Sequence, residues 1–409
     1  MPPARPSTPL RSGQAAAASR RSAQLGLLGD LDAPSFMQRH WHKRPLLVRQ
    51  AVQGASAWLD RRDLFALAAR DDVESRLVRH TDRHPSAWTL QHGPLSVRQR
   101  PPLREPAWTI LVQGVDLHVQ AAHELLQRFS FIPQARLDDV MVSYASDGGG
   151  VGAHLDSYDV FLLQLHGRRR WRWGPARQRD LVPGVPLKLL QHFEPTGEAV
   201  LEPGDMLYLP PQQAHEGVAI GPDCMTCSIG FRAPTRAELA AEILARLAEG
   251  GAGMAQAQRR YRDADQPARA ESGAIPPALL AFGREAVAAV LSDDGMIDCA
   301  LGEYLSEPKA NVWFEPGSAP VRVRRGRSPS NRAVLRLDRR SRMLYTSSHV
   351  FINGDSHRVA GPDARLLRRL ADRRELPMAE LDKGSAALRA AVQDWFEQGW
   401  AHQTEEADH

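Results

Sequence analysis

The stretch Gly148–Gly174, GGGVGAHLDSYDVFLLQLHGRRRWRWG, decides how the chain is read. His154 and Asp156 are two apart, and on a strand such side chains point to one face. An imidazole and a carboxylate then look into the same space. A second stretch, Gly204–Ile220 (GDMLYLPPQQAHEGVAI), supplies His215 after an apolar segment and a Pro-Pro turn. Two imidazoles and one carboxylate can cap one face of an octahedron and leave three positions open. That is the facial triad of non-haem Fe(II) oxygenases. His154, Asp156 and His215 are therefore the candidate metal ligands and catalytic residues.

H-x-D alone is a weak signal in a chain with 15 histidines. The surroundings strengthen it. Val140–Tyr144 reads as a strand before the pair, and the glycines from Gly148 let backbone approach the site closely. Val160–Leu163 reads as a buried strand after it, and Met206–Leu209 as a strand before His215. Strands alternating with Gly/Pro turns from Asp139 to about Phe231 predict an antiparallel sandwich or barrel. Met225–Phe231 is its last strand, with Thr226, Ser228 and Gly230 on one face. His118 and His123 fall on a predicted helix, Leu117–Phe129, without a carboxylate partner, and are read as surface or core residues.

These segments, with HWHKRPLLVRQA from His40, resemble the bacterial JmjC-type ribosomal oxygenases of the cupin superfamily. The similarity runs from near His40 to about Pro234 and is most marked toward the enzymes that hydroxylate an arginine of large-subunit ribosomal protein L-sixteen. The resemblance implies a double-stranded β-helix fold, Fe(II), 2-oxoglutarate as co-substrate and O2. It implies Arg169 as the cation for the far carboxylate of 2-oxoglutarate. In the run Arg168-Arg169-Arg170 the middle residue faces opposite to its neighbours, and a guanidinium suits carboxylate pairing. Ser143, Thr226 and Ser228 are lesser candidates to add hydroxyl donors to the co-substrate. Asp147, in the loop before the glycines, is the candidate partner for a substrate guanidinium. Alternatives are a ribosomal histidyl hydroxylase or other protein hydroxylase of the same family, and a non-catalytic cupin-like binding protein.

The rest of the chain bounds the picture. At 409 residues two or three domains are expected. A net charge of +4 does not oblige nucleic-acid binding. Three cysteines are too few for a disulfide framework and fit a reducing, cytoplasmic setting. Cys224-x-x-Cys227 lacks a second pair and is read as two strand thiols, not a zinc site. No apolar run is long enough to span a membrane. Residues 1–24 resemble a transit peptide in composition but are read as a disordered tail.

The catalytic domain is expected over residues 25–233. Thr235 and Glu238 form a predicted capping box that opens a helix. Further helices are predicted at Leu279–Leu291 and Met296–Leu305. This helical region, 234–315, is read as a dimerisation domain, moved toward a homodimer by the resemblance. Residues 316–409, with a hairpin turn at Asn353-Gly354 and helices at Ala364–Leu370 and Ala386–Phe396, are read as winged-helix-like. The basic run Arg322–Arg327 is read as solvated, so direct nucleic-acid binding is not expected.

Overall fold

The computed structural model describes residues 26–81, 88–249, 260–262, 275–317 and 333–405. The N-terminal tail and the Arg322–Arg327 run lie outside the described residues. The chain divides into two compact units, Met1–Ala233 and Pro234–His409.

In the first unit the strands are β1 (Leu46–Val48), β2 (Ser75–His80), β3 (Trp88–His92), β4 (Trp108–Val112), β5 (Leu137–Ala145), β6 (His154–Leu155), β7 (Val160–Pro175), β8 (Gly197–Leu201), β9 (Met206–Leu209) and β10 (Gln213–Phe231). They form one antiparallel sheet ordered β1-β9-β7-β10-β5-β4-β2-β3, with β6 added to β10 and β8 added to β7. Strands β7 and β10 are long, 16 and 19 residues, and each serves twice. The first part of β7 pairs with β9 and with Met225–Gly230. Its second part pairs with β8 and with Gln213–Ile220. Between these halves the register breaks from Ile220 to Met225. The sheet thus folds over itself into a double-stranded β-helix. The expected last strand, Met225–Phe231, is the second half of β10.

Gly167 makes the bend possible. Its φ is +61°, and a Cβ there would lie 2.8 Å from the Asp223 carbonyl on the facing corner of β10. Tyr144 donates its hydroxyl to Asp223 at 3.0 Å, and Arg61 pairs with the same carboxylate.

Alternation sorts the side chains into two layers. Phe161, Leu163, Met225, Cys227, Ile229 and Phe231 join one large core outside the barrel, with Phe36 from α1 (Ala33–Arg39) and Leu64 and Leu67 from α2 (Arg61–Ala68). Asp32 and Asp60 cap these helices by accepting from Ser35 and Asp63 amides. The predicted Leu117–Phe129 helix is shorter, α3 (Gln120–Gln127), preceded by a 3-10 turn at Val115–Leu117. His123 is buried there. Fully buried Asp159 ties the His42 segment to this core. It accepts from Tyr208 and the His42 amide and faces Arg136 at 3.7 Å. Burial pushes its carboxyl up against the pull of those donors. Inside the barrel sit Val160, Leu162, Leu201, Leu207 and Leu209 with Trp171, and Ala145, Ala219 and Cys224. Cys224 and Cys227 are three apart, so one thiol faces the interior and the other the outer core.

In the second unit α4 (Arg236–Glu249) begins with the capping box. The Thr235 amide donates to Glu238 at 2.7 Å and the Glu238 amide to Thr235 Oγ1 at 3.2 Å. Helices α5 (Pro277–Val290) and α6 (Asp294–Ser306) follow. α6 packs on the sheet that carries the Asn353-Gly354 hairpin: Gly302 lies against the Phe351 ring, and the Gly354 amide donates to Ser306 Oγ at 3.2 Å.

 The hairpin belongs to a three-stranded sheet of β12 (Met343–Tyr345), β13 (His349–Ile352) and β14 (Asp355–Arg358). Strand β11 (Ala333–Leu337) lies in a second sheet, between β15 (Glu375–Pro377) and β16 (Ala401–Glu405). The Asn353-Gly354 turn has φ of +51° and +96°, as a two-residue hairpin needs. Helices α7 (Gly361–Arg373), α8 (Met378–Leu381) and α9 (Ala386–Glu397) cover the sheets around Leu370, Trp395 and Phe396. No residue of α5 is buried.

The barrel corner generates a stability prediction. Gly167→Ala should cost more than about 1 kcal/mol. Gly184→Ala, at a similar φ of +74° with nothing within 4 Å, is the control for backbone strain alone. Urea denaturation of both variants measures the difference; equal losses would mean that the corner is not sterically locked.

Candidate active site

Strand β6 pairs with the start of β10 so that His154 lies directly opposite His215. Their rings are 4.3 Å apart between centroids. Asp156 follows β6, held where the Gln212 amide donates to its carbonyl at 3.3 Å. Its Oδ1 lies 3.8 Å from His154 Nε2 and its Oδ2 3.6 Å from His215 Nε2. One donor atom from each residue falls within 4.8 Å of the others.

Each imidazole is oriented by backbone. His154 Nδ1 is 3.0 Å from the Gly152 carbonyl, and His215 Nδ1 is 3.0 Å from the Gln213 carbonyl. With the proton on Nδ1, both Nε2 lone pairs turn toward the shared space, as metal-binding histidines require. His215 is buried, and burial followed by the neighbouring His154 pushes its pKa down to about 4. The ring is therefore neutral at pH 7 and free to offer Nε2 as a donor. His154 and Asp156 are half-buried, which leaves the site an open side. This N2O donor set suits Fe(II) with positions to spare.

Arg169 is 4% exposed, whereas Arg168 and Arg170 are exposed. It stands opposite Ala219 on β10. Its Nε donates to Cys224 Sγ at 3.5 Å, and its Nη2 is buried without a hydrogen-bond partner. The guanidinium lies 5.7 Å from the Trp171 ring, which lies 5.8 Å from His215. Arginine, indole and imidazole thus follow one another along the wall. A buried cation with an unpaired N–H is costly unless an anion fills the gap. A dicarboxylate such as 2-oxoglutarate fits, with one end toward the triad and the other on Arg169.

Ser143 and Thr226 are buried on the same interior wall, but their hydroxyl protons are engaged. Ser143 Oγ donates to the Thr226 carbonyl at 3.4 Å and Thr226 Oγ1 to Gln164 Oε1 at 2.9 Å. Ser228, half-buried, shares the face of Thr226. Sequence reasoning missed Gln164, Cys224 and Trp171. Alternation from Arg169 places Trp171 on the same face, so that signal was present. Nothing local marks Gln164 or Cys224.

Asp147 is exposed. Its Oδ1 accepts from the Gly221 amide at 2.7 Å and its carbonyl from the Ala107 amide at 2.8 Å. The carboxylate thus pins the glycine loop to β10 through Oδ1. Close approach is real in this loop: a Cβ on Gly150 would lie 2.5 Å from the Gly217 carbonyl.

The bent barrel with a His-Asp-His cluster beside a buried arginine defines a class, the Fe(II)- and 2-oxoglutarate-dependent oxygenases of JmjC type. Residues 124–239 match the JmjC domain family and residues 289–402 the ROXA-like winged helix family. The chain is 35% identical to ribosomal protein uL16 3-hydroxylase of Escherichia coli over 71% of its own length and 75% of that protein. It belongs to the JmjC ribosomal oxygenases. The E. coli ribosomal oxygenase YcfD in complex with cobalt and 2-oxoglutarate superposes with a TM-score of 0.72 at 30% identity, over 91% of this chain and 98% of that one. Human ribosomal oxygenase 1 is 27% identical over 48% of this chain and 32% of its own length.

Burial of His215 generates a pH dependence. An unfolded histidine takes its proton near the ordinary value of 6.5 and the folded one near 4. The unfolded state therefore binds the proton first as pH falls. Metal-free protein should lose up to roughly 3 kcal/mol of stability between those values from this residue. Chelator-treated His215→Gln should lack that component. Parallel denaturation of both proteins at pH 7 and pH 4.5 checks it, and identical pH slopes would refute it.

Proposed function

We propose that this chain hydroxylates an arginine side chain of a large-subunit ribosomal protein, L-sixteen. The carrying observation is the His154-Asp156-His215 cluster beside Arg169, whose buried Nη2 lacks a partner. The substrate follows the name of the E. coli relative and the resemblance around His154.

In this reading His154, Asp156 and His215 hold Fe(II), with Asp156 offsetting metal charge. Bound iron, with 2-oxoglutarate and O2, supplies oxidative decarboxylation to succinate and CO2 coupled to insertion of one oxygen atom into a C–H bond. The chain's own residues set the geometry. The Gly152 and Gln213 carbonyls hold both imidazoles in one tautomer. Arg169 takes the far carboxylate of the co-substrate, and the wall of Ser143, Thr226 and Ser228 surrounds it. Asp147 holds the substrate guanidinium through Oδ2, so that a methylene and not a nitrogen faces the metal.

Residues 25–233 do this chemistry. The helices of 234–315 make a homodimer, and 316–409 form the winged-helix-like end. α6 falls within the winged-helix match. The dimer reading is supported by α5, where Leu279, Leu280 and Val287 are 39%, 43% and 56% exposed. A helix with that much uncovered apolar surface needs a partner. No described helix is long and apolar enough to cross a membrane, and the reading places the enzyme with its ribosomal substrate in the cytoplasm.

Asp147→Asn keeps the acceptor for the Gly221 amide but removes the charge. It should cut kcat/KM for the arginine peptide at least about tenfold, as loss of a charged hydrogen bond implies. Binding of 2-oxoglutarate should persist. Mass spectrometry of the peptide, gaining one oxygen, reads this out. Wild-type turnover in the variant would make the carboxylate a bystander, and a preference for a histidine peptide would overturn the arginine assignment.

The self-association reading has its own test. Leu280→Glu with Val287→Glu should yield monomers of unchanged fold by analytical ultracentrifugation. A dimer that survives both changes would place the interface elsewhere, and a monomeric wild type would end the dimer reading.

A further inference from the structure

Among the described residues no carboxylate pairs with Arg169. Its Nε donates to the sulfur of Cys224 at 3.5 Å. The same sulfur receives a second donor, Gln164 Nε2, at 3.4 Å. Gln164 is fixed in turn: Nε2 also donates to the His166 carbonyl at 2.8 Å, and Oε1 accepts from Thr226 Oγ1 at 2.9 Å. Cys224 and Gln164 are fully buried, and Thr226 is nearly so.

We propose that Cys224 and Gln164 form a clamp that sets how Arg169 presents itself to the co-substrate. This rests on the reading of Arg169 as the 2-oxoglutarate anchor. A guanidinium can meet a carboxylate side-on, through Nε and one Nη, or end-on, through both Nη atoms. Cys224 occupies Nε, so the side-on mode is closed. The end-on fork remains, and its Nη2 is the buried atom without a partner. A thiol suits this position because sulfur is a weak acceptor. It orients the arginine without competing with a carboxylate for the charge, as an aspartate there would. The weak contact is reinforced by the second donor: Gln164 holds the sulfur in line while its own amide is locked at both ends. Cys224 is thus a positioning residue that acts through Arg169, and its influence reaches only a co-substrate that carries a second carboxylate.

The test compares steady-state constants of Cys224→Ala, Cys224→Ser, Gln164→Met and Arg169→Ala in the full-length, iron-loaded enzyme. The co-substrates are 2-oxoglutarate and 2-oxopentanoate, which has the same chain length but no second carboxylate. Cys224→Ala and Gln164→Met should raise the KM for 2-oxoglutarate on the order of tenfold, the loss of one such contact. Their kcat at saturation and their constants for 2-oxopentanoate should hold. Cys224→Ser retains an acceptor and should restore most of the 2-oxoglutarate KM. Equal effects of Ala and Ser, or equal effects on both co-substrates, would reduce Cys224 to packing and overturn the clamp. If Arg169→Ala raises the 2-oxoglutarate KM while Cys224→Ala and Gln164→Met do not, the clamp alone falls. If Arg169→Ala leaves that KM unchanged, the anchor reading itself falls. Should Cys224→Ala not fold, Gln164→Met decides by the same criteria.

Discussion

The register of β7 against β10 is the constraint on which the rest depends. The two strands pair on both sides of a shared bend, opposite Trp173 at His215 and opposite Arg169 at Ala219. That pairing brings the His215 imidazole and a buried guanidinium to one interior wall. Beyond the bend, the same two strands bring Gln164 opposite Thr226. A slip of one residue would turn Arg169 outward and carry Arg168 and Arg170 into the barrel. The corner at Gly167, packed on the Asp223 carbonyl, opposes such a slip by steric exclusion.

The division of labour between the two faces of the sheet follows from solvation. The outer face carries the aromatic core, in which Phe36, Phe161, Tyr208 and Phe231 pack within one cluster. That face supplies the burial that stabilises the unit. The inner face can then afford polar groups. Arg169, Gln164, Thr226, Ser143 and His215 are all buried there. Most have hydrogen-bond partners within the protein, as buried polar groups need. The exceptions lie along one wall: the Nε2 lone pairs of the two histidines, Nη2 of Arg169 and Nε1 of Trp171.

Much of the site was legible in the sequence because strands have a period of two. His154 and Asp156 share a face by spacing alone. Arg169 differs in facing from its two neighbours for the same reason, and the structure buries it while leaving them exposed. The capping box at Thr235 and the Asn353-Gly354 turn were legible because a local hydrogen bond or a positive φ selects the residue type. The length of α3 was not, because Val115–Leu117 adopts a tighter 3-10 turn before it.

The sequence by itself singled out the candidates for the chemistry: two histidines, an aspartate and an arginine, each placed by a local rule of alternation or turn. Only the tertiary structure decided their company. That His154 faces His215 depends on β6 joining β10 across some 60 residues of chain that no local pattern encodes. That Cys224 meets Arg169 depends on two strands bending at the same level. That Asp147 spends one oxygen on the Gly221 amide depends on the glycine loop lying along β10. Local rules act over a few residues through backbone geometry. These contacts join segments far apart in sequence, and packing of the sheet is what brings them within hydrogen-bond distance.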